Sequence, residues 1–127
     1  MRHLVLDASI VGPWLWPATG PQARLLAEFE TGQLTVTVPG LLFLEVLNVA
    51  GRQRRWNAEL LLELVDRLER MRFEVLEPEL VGVARWVGRG LTAYDASYVA
   101  LAEQARIPLL TMQREILELA PGVAAPL

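Results

Sequence analysis

The feature that most constrains this chain is the alternation of short apolar runs with longer segments of helical periodicity. Four runs have the length of buried strands, and at least one helical segment separates each from the next. The predicted strands are residues 3–6, 34–38, 73–76 and 108–111. Because no two predicted strands follow one another directly, the pattern indicates an α/β fold with a mostly parallel sheet and helices on both faces.

The segments between the strands carry the helical signals. Residues 57–71 form the clearest amphipathic pattern, with leucine and valine side chains on one face and Asn57 as a suitable N-cap. The other predicted helices are residues 21–29, 41–54, 79–87, 92–105 and 113–119. Gly12 and Pro13 are interpreted as a break in regular structure after the first strand. The tail PGVAAPL could add an edge strand, so we predict four to five strands in all.

Length and composition limit the possible classes of protein. A chain of 127 residues with 53% hydrophobic residues suits one domain over residues 1–127 with a sizeable core. The net charge is −3, so any contact with nucleic acid must be local or carried by a bound cation. The absence of cysteine excludes disulfides, thiolate zinc sites and thiol nucleophiles. All positive side chains are arginine, for which a GC-biased genome is a sufficient explanation.

Neither a membrane protein nor a secreted one is indicated. No apolar run approaches the roughly 20 residues that a bilayer-spanning helix needs. The start MRHLVLDAS has too short an apolar stretch for a signal peptide. We therefore expect a cytoplasmic protein with no membrane partner.

Three acids stand out because of where they lie. Asp7 follows the first predicted strand, and ligands of open parallel sheets bind beyond the carboxyl ends of the strands. Glu45 lies within LLFLEVLNVA and Asp95 within LTAYDASYVALA. An ionised carboxylate in such apolar surroundings is costly unless it is paired or binds a metal.

Each acid also has a purely structural interpretation. Asp7 could be the N-cap of a helix that begins at Ala8. Thr92 and Asp95 have the spacing of a capping box, and Glu45 could occupy an exposed position on a half-buried helix. No one of the three acids is therefore decisive alone.

The order of the motifs is more specific. Strand-Asp7, helical Glu45-x-x-Asn48, LTAYDA with Asp95 and the strand PLLT occur in turn. This arrangement resembles the PIN-domain ribonucleases, most closely the short VapC-type toxins of toxin–antitoxin pairs, over nearly the whole chain. LTAYDASYVALAEQARIPLLT is the strongest part, supported by VLDASIVGPWLWP and PGLLFLEVLNVA.

The resemblance implies a PIN-like three-layer α/β/α sandwich and a metal-dependent endoribonuclease. It implies that Asp7, Glu45 and Asp95 hold Mg²⁺ or Mn²⁺ and are catalytic, since hard cations prefer oxygen ligands. It also implies an RNA substrate, a cognate antitoxin and a homodimer. Whether RNA or DNA is cut stays open.

The chain departs from the family pattern at one position. A fourth acid usually follows the strand-end threonine by two residues, and Gln113 stands there. Glutamine offers an oxygen without negative charge, so we expect weaker metal binding. Glu115 is expected to point elsewhere. The alternative function is a catalytically weakened or inactive PIN-fold binding protein.

Several polar residues are candidate helpers. Ser9, Asn48 and Thr111 could orient an acid or a water, although Ser9 could equally make a local turn contact and Thr111 could merely end a strand. The only histidine, at position 3, is interpreted as structural. An aspartate-nucleophile phosphatase, suggested by Asp7-x-Ser9, is disfavoured because the chain has no lysine.

A basic run follows the Glu45 segment. Arg52, Arg54 and Arg55 precede Trp56 and could bind an RNA backbone, while a solvated helix end that complements the helix dipole is the competing interpretation. Trp14 and Trp16 are interpreted as core or interface residues rather than base-stacking platforms.

Overall fold

The protein is described by a computed structural model that covers residues 1–127. Five parallel strands form one sheet in the order β3-β2-β1-β4-β5. The strands are β1 (Arg2–Leu6), β2 (Leu34–Val38), β3 (Glu74–Val75), β4 (Leu109–Leu110) and β5 (Ala124–Ala125). The predicted α/β class with a parallel sheet is confirmed, and the PGVAAPL tail supplies the fifth strand.

Seven α-helices and one π-helical segment accompany the sheet. The α-helices are α1 (Ala8–Leu15), α2 (Gly20–Glu30), α3 (Leu41–Asn48), α4 (Ala58–Arg70), α5 (Leu80–Gly88), α6 (Ala93–Ala105) and α7 (Arg114–Leu119). The π-helical segment Val49–Gln53 continues directly from α3. Every helix is too short or too polar to span a lipid bilayer.

Three local predictions were wrong in detail. Gly12 and Pro13 do not interrupt the chain but lie inside α1, because this short helix buries Ile10, Val11 and Trp14 against the sheet. The predicted helix 41–54 changes to π geometry after Asn48. The third strand is only two residues long and exposed, as expected of an edge strand with a single neighbour.

The register of the central strands positions the site. β1 pairs with β2 on one side and with β4 on the other, and Leu6 lies opposite Leu110. Because the two strands are parallel and in this register, the residues that follow them, Asp7 and Thr111, emerge side by side. One pairing thus brings together two side chains that are 104 positions apart in the sequence.

The core holds α1 in place beneath the site. Trp14 stacks on Phe29 of α2 at 5.5 Å between ring centroids, and Phe29 stacks on Phe73 at 5.2 Å. Arg67 of α4 donates hydrogen bonds to the carbonyl oxygens of Trp14 and Leu15 at 3.1 and 3.2 Å, so it satisfies the end of α1. These contacts join the carboxyl end of α1 to α2 and α4.

Candidate functional site

Asp7 lies one residue beyond β1 and is the N-cap of α1. Its Oδ1 accepts hydrogen bonds from the Ser9 backbone N–H at 3.0 Å and from Ser9 Oγ at 2.5 Å, and its Oδ2 accepts one from Thr111 Oγ1. Burial raises the pKa of Asp7, these hydrogen bonds oppose the rise, and the negative charge of Asp95 adds to it. The capping interpretation of Asp7 is therefore correct, and the cap is also a buried carboxyl without a positive partner.

Ser9 and Thr111 link α1 to the segment after β4. The Met112 backbone N–H donates to Ser9 Oγ at 2.9 Å, and the Gln113 backbone N–H donates to Thr111 Oγ1 at 2.9 Å. Each hydroxyl thus accepts from the backbone while it donates to Asp7. The two hydroxyls hold the orientation of the Asp7 carboxyl.

Glu45 lies half-buried on α3, not at the exposed position that its structural interpretation required. Tyr98 Oη of α6 donates a hydrogen bond of 2.5 Å to Glu45 Oε1. Burial raises the pKa of Glu45, the bond from Tyr98 opposes the rise, and the charges of Asp7 and Asp95 increase it. Burial and the neighbouring acid also raise the pKa of the Tyr98 phenol, so it remains a proton donor.

Asp95 is half-buried in the first turn of α6. Its backbone N–H donates to Thr92 Oγ1 at 3.1 Å, which is one half of the predicted capping box. Its carboxylate does not return a hydrogen bond to Thr92, so capping does not occupy it. Burial raises the pKa of Asp95, and the negative charge of Glu115 adds to the rise. Glu115 of α7 is exposed and acts on Asp95 only through its charge, so the expectation that it points elsewhere stays a prediction.

No positive side chain compensates these acids. The three ion pairs of the protein lie elsewhere: Arg2 with Glu28, Arg70 with Asp66, and Arg114 with Glu118. The acids act on one another through their charges, but no three of them are close enough to form a ready ligand cluster. Their oxygen atoms and their uncompensated negative charge fit a hard divalent cation. In this structure, hydroxyl groups donate hydrogen bonds to carboxyl oxygens of Asp7 and Glu45.

An open cleft of about 630 Å³ lies beside these acids and includes Glu45 in its wall. Among the predicted site residues, its wall includes Ser9, Glu45, Asn48, Arg54 and Gln113. Asp7 lies beneath Ser9 rather than on the wall, and Asp95, Thr111, Arg52 and Arg55 do not line the cleft. A second cleft of about 670 Å³ lies beside Gly32 and Arg70, near the amino ends of the strands and away from the acids.

The site roles of two aromatic residues, Tyr98 and Trp16, were not predicted from the sequence. Tyr98 lies three residues after Asp95, so both side chains share one face of α6, and this spacing was the available signal. Trp14 is a core residue as expected, whereas Trp16 lines the cleft. No local pattern distinguishes the two tryptophans, because only the end of α1 at Leu15 separates their surroundings.

Comparison with known proteins identifies the family. The PIN domain family profile matches residues 4–120. PAE2754 from Pyrobaculum aerophilum is 26% identical, with a TM-score of 0.73 over 98% of this chain and 89% of that one. No curated protein sequence matches this chain.

Two further solved structures share the fold at lower identity. VapBC2 from Rickettsia felis, solved bound to a DNA fragment from its promoter, is 11% identical, with a TM-score of 0.71 over 98% of both chains. VapC20 from Mycobacterium tuberculosis, described as a toxin that cleaves the sarcin–ricin loop, is 16% identical, with a TM-score of 0.67 over 92% of this chain and 95% of that one. Since the family profile spans most of its length, this chain belongs to the PIN domain family.

Proposed function

We propose that this protein is a metal-dependent endoribonuclease, a VapC-like toxin that hydrolyses RNA phosphodiester bonds. The observation that carries the proposal is the group of three acids, Asp7, Glu45 and Asp95, whose pKa values are all raised and which no arginine neutralises. Folding has placed negative charge where it is costly. Such a cost is characteristic of a site that binds a cation or performs chemistry.

The carboxylates of Asp7, Glu45 and Asp95 would hold Mg²⁺ or Mn²⁺. When bound, such a cation acts as a Lewis acid that lowers the pKa of water and neutralises charge developing on a phosphate. Ser9 and Thr111 keep Asp7 oriented through their hydrogen bonds. Asn48 and Gln113 line the cleft and can offer neutral amide groups to the substrate or to the ion.

The proposed substrate and partners are those that likeness to the family suggests. Of the basic run Arg52, Arg54 and Arg55, Arg54 lines the cleft and supplies positive charge that an RNA phosphate would need next to an acidic site. The fold is similar to that of VapBC2 from Rickettsia felis, which was solved bound to promoter DNA, and by this likeness we propose a cognate antitoxin as the protein partner. A homodimer and a cytoplasmic location complete the proposal.

Cleavage of structured RNA by the purified protein tests the chemistry. We expect cleavage with Mn²⁺ that stops in chelator, and a loss of more than about a hundredfold in rate for Asp7→Asn. Asparagine caps a helix as well as aspartate does, so α1 should remain folded. The matched control is Glu28→Gln, which neutralises an acid outside the cluster. Cleavage that persists in chelator or in Asp7→Asn would remove the proposed mechanism.

A second candidate function is an inactive PIN-fold binding protein, and Gln113 is the observation that favours it. Calorimetric titration with Mn²⁺ separates the two functions. One ion that binds and is followed by RNA cleavage excludes the inactive form. No ion binding and no cleavage by a folded protein would support it.

A further inference from the structure

The guanidinium of Arg54 lies over an aromatic ring on the wall of the acidic cleft. Its guanidinium carbon is 4.4 Å from the centroid of the Trp16 ring, and Trp16 makes an edge contact with Trp56 at 5.8 Å between centroids. Trp16 and Arg54 both line the cleft that contains Glu45. The only arginine on the cleft wall is therefore held in place by an aromatic side chain.

The backbone after α3 explains why this arginine is singled out. The Arg54 backbone N–H donates to the Val49 carbonyl at 3.0 Å, which closes the wide turn of the π-helical segment. Arg55 then takes a left-handed conformation with φ of 57°, and the chain reverses toward Trp56. Wide turns of this kind occur frequently at functional sites. Here the turn delivers Gln53 and Arg54 to the cleft, whereas Arg52 and Arg55 stay off its wall.

The charge of Arg54 is not used by the protein itself. None of the three ion pairs includes it. The indole lies against the guanidinium, and the guanidinium N–H groups make no hydrogen bond within the protein, so they are available for a forked contact with an anion. An arginine that is oriented but unpaired suits the binding of a phosphate.

The cleft carries both negative and positive side chains, and this combination limits the class of ligand that fits it. The acids repel a phosphate that approaches without a cation, so a polyanionic chain needs a positive anchor to one side of them. Arg54 is the positive residue of the cleft and Glu45 is the negative one. A phosphodiester chain lying along the cleft would thus place one phosphate near the acids and another at Arg54.

We propose that Arg54, held against Trp16, binds a backbone phosphate of the RNA in the cleft beside the acids, and that Arg52 and Arg55 do not. This inference rests on the proposed function and assigns the substrate contact within it. It replaces a diffuse contact with the whole basic run by one defined contact.

Salt-dependent RNA binding tests the inference. The affinity of a short fluorescein-labelled single-stranded RNA is measured by fluorescence anisotropy in chelator, over salt concentrations of about 50 to 200 mM. We expect Arg54→Ala to bind about tenfold more weakly and to lower the slope of log affinity against log salt by about 0.7, the value for one phosphate contact on a single strand. Arg52→Ala is the matched control, because it removes the same charge two residues away and should leave the slope unchanged.

Two further variants separate a phosphate contact from a structural role. Arg89 lies over Trp86 at 4.5 Å, away from the cleft, so Arg89→Ala removes the same kind of stacking contact and should not change RNA binding. Arg54→Lys keeps the charge but not the fork, so we expect the slope to return while the affinity recovers only in part.

The outcomes separate this inference from the proposed function. Equal binding by Arg54→Ala and Arg52→Ala, or a wild-type protein that cuts RNA without salt-dependent binding, overturns the role of Arg54 and leaves the nuclease standing. A wild-type protein that neither binds nor cuts RNA overturns both.

Discussion

The charged residues at the two ends of strand β1 differ in whether the protein compensates their charge. At its start, exposed Arg2 pairs with Glu28 of α2 at 2.6 Å. One residue past its end, buried Asp7 is surrounded by the hydroxyl groups of Ser9 and Thr111 and by a backbone N–H, with no positive side chain. The same five-residue strand therefore carries a charge compensated within the protein at one end and an uncompensated one at the other.

This difference shows where the protein has negative charge that only a bound cation could neutralise. An exposed pair such as Arg2–Glu28 contributes little to stability, because water screens it. A buried acid beside other acids costs free energy in the ionised state, and no arginine forms an ion pair with Asp7, Glu45 or Asp95 to offset that cost. The carboxyl edge of the sheet is thus the place where binding a cation would change stability most.

Stabilisation by a divalent ion is the largest expected difference between the two ends. At a Mn²⁺ concentration of about 100 times the dissociation constant, binding to the folded state should add about 2.7 kcal/mol to the free energy of unfolding. Thermal unfolding with and without Mn²⁺ measures this gain. Glu45→Gln should lose most of it, while Glu28→Gln at the opposite edge should keep it. An equal gain in both variants would mean that the ion acts elsewhere.

The pH dependence of the chelated protein should show the same contrast with a smaller effect. Asp7, Glu45 and Asp95 have pKa values raised above the ordinary 3.8 or 4.5, so the folded state holds protons more tightly than the unfolded state does. The free energy of unfolding should therefore be highest below those ordinary values and decrease as the pH rises through the raised pKa values.

Urea unfolding at a series of pH values in chelator measures this decrease. Asp7→Asn should flatten the curve, because one of the three titrating groups is gone. Stability of the wild-type protein that increases over this range would contradict uncompensated acids at the carboxyl edge. Saturation with Mn²⁺ should reduce the decrease, since the ion favours the ionised carboxylates.

The smallest expected effect comes from the hydroxyl that contacts Glu45. Tyr98→Phe keeps the buried ring but removes the donor, and it should cost about 1 kcal/mol of stability. Because the bond lowers the pKa of Glu45, its loss should raise that pKa further and shift the pH profile of cleavage upward. Tyr94→Phe is the control, since this tyrosine is exposed and makes no side-chain hydrogen bond. Identical pH profiles for the two variants would assign Tyr98 to packing alone.

Some of the fold and the site could be predicted because the signals are local. Strand length, helical periodicity and the cap at Asn57 depend on neighbouring residues, and the structure has the expected elements, with Asn57 accepting from the Leu60 N–H at 2.9 Å. The prediction of a break at Gly12 and Pro13 was wrong, because burial of Trp14 outweighs the weak helix propensity of these two residues. The charge effect of Glu115 on Asp95 could not be predicted for a related reason, since it depends on where the fold places α7 relative to α6.

The sequence by itself determined the alternation that produces a parallel sheet, and it determined which acids follow or interrupt its apolar segments. Only the tertiary structure decided which groups surround those acids: Thr111 beside Asp7, Tyr98 against Glu45, and Arg54 rather than Arg52 at the cleft. The physical reason is distance along the chain. Periodicity acts over a few residues, whereas strand register and helix packing join side chains separated by tens of residues.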